Sequence, residues 1–218
     1  MSRGWLIVWM HRGELLAGLA TTLWISVLAS LASLALGALL SIALMSRHRM
    51  TARTARSFVD TMRCVPFLLF VYVVYYGLPS FGIVLGNWTA GLASLIVYNT
   101  GYMGELIAAA WRALPRETIE AGHAFGFHRF TLFRCIILPP VALTAAPMIG
   151  NQVVQIVKDS AFLTIIAVAE LTHAATNIQS FYFVPFAAFL SAVLLYWALC
   201  VAIESGVGLV QAVAERRR

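Results

Sequence analysis

The chain has 218 residues, of which 61% are hydrophobic and 11% are charged, and its formal net charge is +6. Soluble domains average roughly 25% charged residues, so this composition excludes a water-soluble globular protein and indicates an integral membrane protein. Cys64, Cys135 and Cys200 lie far apart, which argues against a disulfide framework or a zinc site. The basic residues lie in short segments between apolar runs, which argues against a nucleic-acid-binding face.

Apolar runs along the chain predict five transmembrane helices, because one span needs about 20 apolar residues. The first run is too long for the apolar core of a signal peptide, so we expect it to be retained. Pro139 and Pro140 are expected to break any helix before the fourth span, whereas Pro185 suits the first turn of the fifth. The predicted fold is one all-α integral membrane domain covering residues 1–218. Its spans are predicted at about 15–46, 65–79, 88–111, 141–168 and 185–210.

The distribution of basic residues predicts the orientation, since cytoplasmic loops of membrane proteins are enriched in Lys and Arg. Twelve of the fifteen basic residues fall at 47–63, 112–134 and 216–218, three segments that five spans would place on one side. The opposite side has only Arg3 and Arg12, and Lys158 falls inside the fourth span. We therefore expect a periplasmic N-terminus and a cytoplasmic C-terminus.

A polar, basic segment at about 116–138 separates the third and fourth spans and is predicted to be cytoplasmic. Pro115 suits a helix start, and Glu117 follows it where the helix dipole favours acidic residues. Four phenylalanines would be exposed to water here unless another molecule covers them. They are Phe125, Phe127, Phe130 and Phe133. Such a set indicates an interface with another protein, and the alternative is a helix lying on lipid headgroups.

The same segment contains a motif with fixed spacing, in which nine residues separate its two halves. The residues that carry it are Glu120, Ala121, Gly122, Gly126, Ile136, Leu138 and Pro139. The pattern resembles the EAA motif of importer permeases in the ATP-binding cassette superfamily, with Gly122 in place of the more usual alanine. In that family this loop is a coupling helix that docks into a cleft of the cytoplasmic ATPase. The resemblance therefore implies that these seven residues couple the chain to an ATPase.

Similarity to the polar amino acid branch of these permeases extends over most of the chain. It lies at residues 21–23, 63–66, 75–79, 98–105, 150–152 and 158–160. That branch imports amino acids such as histidine, arginine, lysine, glutamine and glutamate, and also opines. The resemblance implies a permease subunit in the bacterial inner membrane. It also implies three partners: an identical or homologous permease, a cytoplasmic ATPase dimer and an extracytoplasmic solute-binding protein.

Polar residues inside the third and fourth predicted spans need an explanation, since a charge at the bilayer centre costs at least about 2.5–3.5 kcal/mol. They are Tyr98, Asn99, Tyr102, Glu105, Gln152, Gln155, Lys158, Asp159 and Ser160. We expect them to line a substrate pathway, with Asn99, Tyr102 and Asp159 nearest the substrate. Lys158 would neutralise a substrate carboxylate or pair with Glu105. The alternative is that these groups bond only to each other and hold the helices together.

Two other classes of function compete with an ATP-driven permease. A stand-alone ion-coupled carrier would use Glu105, Lys158 and Asp159 as a relay, but the chain is small and has no visible internal repeat. A membrane enzyme would need convergent catalytic groups or metal ligands, and the predicted spans contain no such set. The chain also lacks a Gly-x-x-x-x-Gly-Lys-Ser/Thr loop for nucleotide phosphates. We therefore expect no cofactor in this chain, and expect ATP and Mg to be bound by the partner ATPase.

Overall fold

A computed structural model describes residues 2–215, with side chains described for residues 3–208. These residues form helices and no β-strand, which confirms the predicted all-α class. The α-helices are α1 (Ser2–Met10), α2 (Arg12–Leu44), α3 (Arg49–Cys64), α4 (Phe67–Tyr72), α5 (Asn87–Arg112), α6 (Arg116–Ala124), α7 (Arg129–Thr131), α8 (Leu138–Ser160), α9 (Leu171–Tyr182) and α10 (Pro185–Glu215). The π-helical segments are Val73–Gly77 and Leu132–Ile137, and the 3₁₀-helical segments are Leu78–Phe81 and Ala161–Ile166.

Three described helical segments are long and apolar enough to cross a membrane. They are Arg12–Leu44, Arg129–Ile166 and Pro185–Gly208. A fourth candidate is the pair Arg49–Cys64 and Phe67–Phe81, which passes the same test as one span bent by 105°. α5 has 26 residues and is long enough at 1.5 Å per residue, but it is too polar to meet the same test. The described residues thus contain three or four candidate spans by length and composition.

The packing of α2 against α5 depends on small side chains. The small buried residues of α2 are Gly18, Thr22, Ser26, Ala29, Ser30, Ser33, Gly37 and Ser41. A Cβ atom on Gly37 would lie 2.5 Å from the Cβ of Met103 and 2.9 Å from the backbone nitrogen of Gly104. A Cβ atom on Gly104 would in turn lie 2.8 Å from Leu40. Small residues allow helix backbones to approach closely in a membrane, where lipid removes the hydrophobic drive for association.

Residues 49–64 differ most from the predicted organisation, in which they belong to a cytoplasmic loop. They form α3, an amphipathic helix whose buried residues include Val59 and Met62 and which packs against α5. Met62 lies beside Gly101. Where α3 ends, the backbone carbonyl of Val65 accepts a hydrogen bond from the hydroxyl of Tyr98. α3 therefore runs beside α5 from the C-terminal part of α5 to its middle.

The predicted helix break at Pro139 and Pro140 is wrong. The helical segment Arg129–Ile166 is continuous, and both prolines lie in the first turn of α8. The turn before them is π-helical, and the N–H of Leu138 donates to the carbonyl of Phe133, five residues back. This change of hydrogen-bond register lets the helix continue into two residues that have no N–H to donate. Pro185 begins α10, as predicted.

We predict that Gly37→Ala destabilises the protein and that Gly13→Ala, on the same helix, does not. The new methyl group at Gly37 would meet the backbone of α5 and force the two helices apart, at a cost of about 1–3 kcal/mol. A Cβ atom on Gly13 would have no neighbour within 4 Å. Alanine raises helix propensity at least as much at Gly37, inside the helix, as at Gly13 in its first turn. A lower thermal unfolding midpoint of Gly37→Ala in detergent therefore measures the packing. Equal midpoints for the two variants would contradict the close packing of α2 on α5 at Gly37.

Candidate functional site

α6 carries the first half of the motif and ends in a turn that requires glycine. The N–H of Gly126 donates to the carbonyl of His123 at 2.9 Å, and the N–H of Phe127 donates to the carbonyl of Gly122 at 3.1 Å. This pair of bonds defines a Schellman motif, in which the residue after the C-cap is left-handed. Gly126 has a φ of +74°. A residue without a Cβ adopts that conformation at no steric cost, which explains the glycine at this position of the motif.

Gly122 is the point at which the two halves of the motif meet. It is buried, and a Cβ atom there would overlap the side chain of Leu132 and lie 3.2 Å from Ile136. The glycine therefore lets α6 pack closely on the π-helical segment Leu132–Ile137. Leu138 and Pro139 follow directly and are exposed at the start of α8. The sequence signal of two motif halves nine residues apart thus corresponds to one packed helix–helix unit.

The outer surface of this unit is exposed and largely aromatic. Its exposed residues include Glu120, Ala121, Phe125, Phe127 and Phe130. Phe125 has 83% of its surface exposed and Phe130 has 70%. Phe133 is the exception among the four predicted phenylalanines, because it packs on Trp111 with ring centroids 5.5 Å apart. An exposed aromatic surface of this kind marks a site of contact with another molecule.

Hydrogen bonds bring together polar residues of the third and fourth predicted spans, now α5 and α8. Gln152 of α8 donates a hydrogen bond from Nε2 to Oδ1 of Asn99 at 2.7 Å. Asn99 is fully buried, and its Nδ2 donates to the carbonyl of Leu95. On α8, Nε2 of Gln155 donates to Oδ1 of Asp159 at 2.8 Å. These bonds orient the three amides and the carboxylate, and only the bond between Gln152 and Asn99 joins the two helices.

Asp159 stands out within this group because it is buried and has no basic partner in the described part of the chain. Only 4% of its surface is exposed. Its hydrogen-bond donor is the neutral amide of Gln155. Within the described residues no Lys, Arg or His lies within ion-pair distance of it. The site therefore offers a carboxylate whose charge the described part of the chain does not neutralise.

Two tyrosines of α5 lie where α3 and α4 meet. The hydroxyl of Tyr98 donates to the carbonyl of Val65 at 3.1 Å and lies 3.4 Å from the hydroxyl of Tyr102. Tyr98 therefore satisfies a carbonyl left open at the bend between α3 and α4. Ser160 is buried, and its hydroxyl donates to the carbonyl of Val157 within α8. This hydrogen bond lies within α8 and does not connect Ser160 to another helix.

Glu105 and Lys158 do not pair with each other, so that part of the hypothesis is wrong. Oε2 of Glu105 lies 2.6 Å from a guanidinium nitrogen of Arg56, and Oε1 lies 2.5 Å from one of Arg112. Two arginines thus neutralise Glu105. Glu105 is therefore not one of the residues that bond to the Asp159 group. Lys158 is exposed on α8. Lys158 follows Val157, which packs beside Cys200 of α10.

Glu170 is a buried acidic residue that the sequence prediction did not single out. Its carboxylate accepts hydrogen bonds from the backbone N–H groups of Thr172 and His173 and from the hydroxyl of Tyr196, each at 2.7 Å. Burial raises the pKa of this carboxyl above its usual value. Glu170 caps α9 and ties it to α10, so its role is structural. An acidic residue directly before a helix was the available signal.

Comparisons with known proteins place this chain among transport proteins. Residues 33–212 match the family described as binding-protein-dependent transport system inner membrane component. A probable glutamine ABC transporter permease protein of Bacillus subtilis is 29% identical over 190 residues, covering 87% of this chain and 88% of the relative. The histidine/lysine/arginine/ornithine transport system permease protein of Escherichia coli is 30% identical over 194 residues, covering 84% and 82%.

Solved structures share the fold over nearly the whole chain. The crystal structure of an amino acid ABC transporter with histidines has a TM-score of 0.90 at 25% sequence identity, covering 95% of this chain and 97% of that chain. An inward-facing methionine ABC transporter has a TM-score of 0.73 at 17% identity, which indicates the same fold. Since the family match covers most of the sequence, the chain belongs to the family of inner membrane components of binding-protein-dependent transport systems.

Proposed function

We propose that this chain is the permease subunit of an ATP-driven importer of a polar or charged amino acid. The observation that carries the proposal is the exposed, glycine-capped unit formed by α6 and Leu132–Ile137, in a chain of this family. Relatives whose names specify glutamine, nopaline and basic amino acids support the substrate class. A stand-alone ion-coupled carrier has no such support, because the family is defined by dependence on a binding protein.

The proposed topology has five spans, with a periplasmic N-terminus and a cytoplasmic C-terminus in the inner membrane. The spans are α2, the bent pair of α3 and α4, α5, the continuous helix that contains α8, and α10. α5 is the third of these spans in chain order, and its polar residues are accommodated because they face other helices. The arginines that follow α2 and α5 support this orientation. The whole chain of residues 1–218 then forms one permease domain.

In the proposed complex α6 is the coupling helix. Glu120, Ala121 and the exposed phenylalanines would contact a cytoplasmic ATPase, which binds ATP and Mg in its own sites. Two permeases, identical or homologous, would face two ATPases, and a solute-binding protein would deliver substrate from outside. Closure of the ATPases would move both coupling helices, and the rigid packing of α6 on Leu132–Ile137 would pass that movement to α8.

The proposed pathway lies between α5 and α8. Asp159 would attract the ammonium group of an amino acid, and the amides of Asn99, Gln152 and Gln155 would supply hydrogen bonds that suit a polar ligand. Tyr102 would border this site on α5. A single buried carboxylate among neutral amides supports a ligand that carries a positive group, because desolvating an unpaired charge otherwise costs several kcal/mol.

We predict that Phe125→Ala weakens binding of the ATPase, whereas Phe81→Ala does not. The two residues are matched, because each has 83% of its surface exposed and each precedes a glycine with positive φ. Phe81 lies on the opposite side of the membrane in the proposed topology. Loss of a buried aromatic contact costs about 1–3 kcal/mol, or roughly five- to hundredfold in affinity. ATPase recovered with each tagged variant measures the effect, and equal recovery would refute docking at α6.

We also predict that Asp159→Asn lowers uptake about ten- to hundredfold while the complex still assembles. The change keeps the shape of the side chain and removes its charge. Uptake should fall because a hydrogen bond between the substrate and a charged group contributes about 1.5–3 kcal/mol. Glu14→Gln, an exposed acid in the first turn of α2, is the control and should leave uptake unchanged. Uptake is measured in proteoliposomes, with co-purified ATPase as the measure of assembly. Parental uptake by Asp159→Asn would remove Asp159 from the pathway.

A further inference from the structure

A second polar site lies along the outer face of α3, apart from the Asp159 group. A shallow, open groove with a volume of about 830 Å³ runs there. Its polar lining comes from α3, and the walls are completed by Leu44, Ala52 and Val65. The polar residues are Arg53, Arg56, Ser57, Asp60, Thr61 and Cys64. The polar part of the groove therefore comes from one helix, which the charge pattern assigns to a loop.

The position of α3 argues against the simplest explanation of its charged residues, which is that they form a solvated helix surface. Arg56 is held at Glu105, and Val65 is held at Tyr98, near the middle of α5. The face of α3 that carries the groove thus reaches the level of the middle of α5, a helix that spans the membrane in the proposed topology. Charged side chains at such depth line a water-filled cavity or face a partner. Val65 lies at one end of the groove, and its carbonyl accepts a hydrogen bond from Tyr98, which borders the proposed pathway together with Tyr102.

The groove presents both signs of charge within two helical turns. Arg56 and Asp60 are one turn apart on α3, and Arg53 lies a further turn away from Asp60. Arg56 shares one nitrogen with Glu105 and retains other N–H donors. Within the described residues neither Arg53 nor Asp60 has an ion-pair partner. A free amino acid carries a carboxylate and an ammonium group close together, and this arrangement complements both.

We propose that the α3 groove is a second amino acid binding position, which the substrate occupies after it passes Tyr98 and Tyr102 on its way to the cytoplasm. In this position Arg53 and Arg56 bind the carboxylate of the substrate and Asp60 binds its ammonium group. The inference rests on the proposed function and adds a site to it. It requires that the groove be open to water on the cytoplasmic side and occupied by the amino acid that the complex transports.

Cys64 provides a probe of this site, because it lines the groove and is exposed. The complex with its ATPase is reconstituted in vesicles, with the solute-binding protein supplied at the face opposite the ATPase. Cys135→Ser and Cys200→Ser make Cys64 the permease's one thiol. A membrane-impermeant charged methanethiosulfonate is added to either face, with each of the twenty standard amino acids in turn. We expect reaction from the cytoplasmic face only. The transported amino acid should slow it about elevenfold at ten times its Kd.

The matched control places the thiol elsewhere on the same helix. Thr54 is exposed and does not line the groove, so Thr54→Cys in a Cys64→Ser background should react without protection. Asp60→Asn and Arg53→Gln should each weaken binding about tenfold or more, by loss of a charged contact. At the same amino acid concentration, protection of Cys64 should then fall from about elevenfold to about twofold or less. Arg63→Gln, an exposed arginine outside the groove lining, should leave protection intact. Reaction rates without amino acid show whether a variant has kept its fold.

Uptake measured in the same vesicles separates the two proposals. An amino acid that is taken up with ATP but does not protect Cys64 would overturn the α3 site and leave the proposed function standing. Equal protection at Thr54→Cys would also overturn the site, because the effect would then be a general conformational change. Ornithine and nopaline are tested as well, because relatives are named for them. If none of these compounds is taken up by a complex that hydrolyses ATP with the binding protein present, the proposed function fails and the α3 site fails with it.

Discussion

The close contact between α2 and α5 is the interaction on which the rest of the structure depends. Gly37 and Gly104 bring the two backbones together at a distance that no larger residue permits. α5 is thereby fixed at the centre of the bundle, where it packs against α2, α3, α4 and α8. Its polar residues consequently face protein on several sides, which is the condition for keeping such residues within a membrane.

α5 distributes its polar residues between two neighbours. Asn99 bonds to Gln152 of α8, whereas Tyr98 and Glu105 bond to the end and the middle of α3. The Asp159 group and the α3 groove therefore lie on two sides of one helix, with the tyrosine pair between them. In the proposed pathway the substrate would pass α5 between these two groups, and α3 would line the later part of its route.

The motif, the all-α class and the long apolar helices could be predicted from sequence, because each depends on local pattern. Gly126 illustrates this, since a glycine at a helix end signals a left-handed cap. Three features could not be predicted in the same way. The role of Gly122 depends on contact with Leu132, and the partners of Glu105 lie 49 and 7 residues away. α3 could not be recognised as a packed helix, because its arginines give it the composition of a cytoplasmic loop.

The continuous helix at Pro139 gives a further example of tertiary context prevailing over a local rule. The sequence contains two adjacent prolines here, which lack the N–H that a helix interior requires. A π-helical turn before them shifts the hydrogen-bond register, so the helix continues without these two donors. That turn is also the surface on which α6 packs, through Gly122 and Ile136. The segment that carries the motif and the long helix of α8 therefore form one mechanical unit, which is what a coupling element requires.

Amide hydrogen exchange at residues 116–127 tests the central claim most directly, because it reports on the unaltered chain. Exchange is compared between the permease alone and the permease in complex with its ATPase. If α6 and its glycine-capped turn dock into the ATPase, exchange of these amides slows in the complex. Unchanged exchange at 116–127, together with new protection in another cytoplasmic segment, would contradict the account.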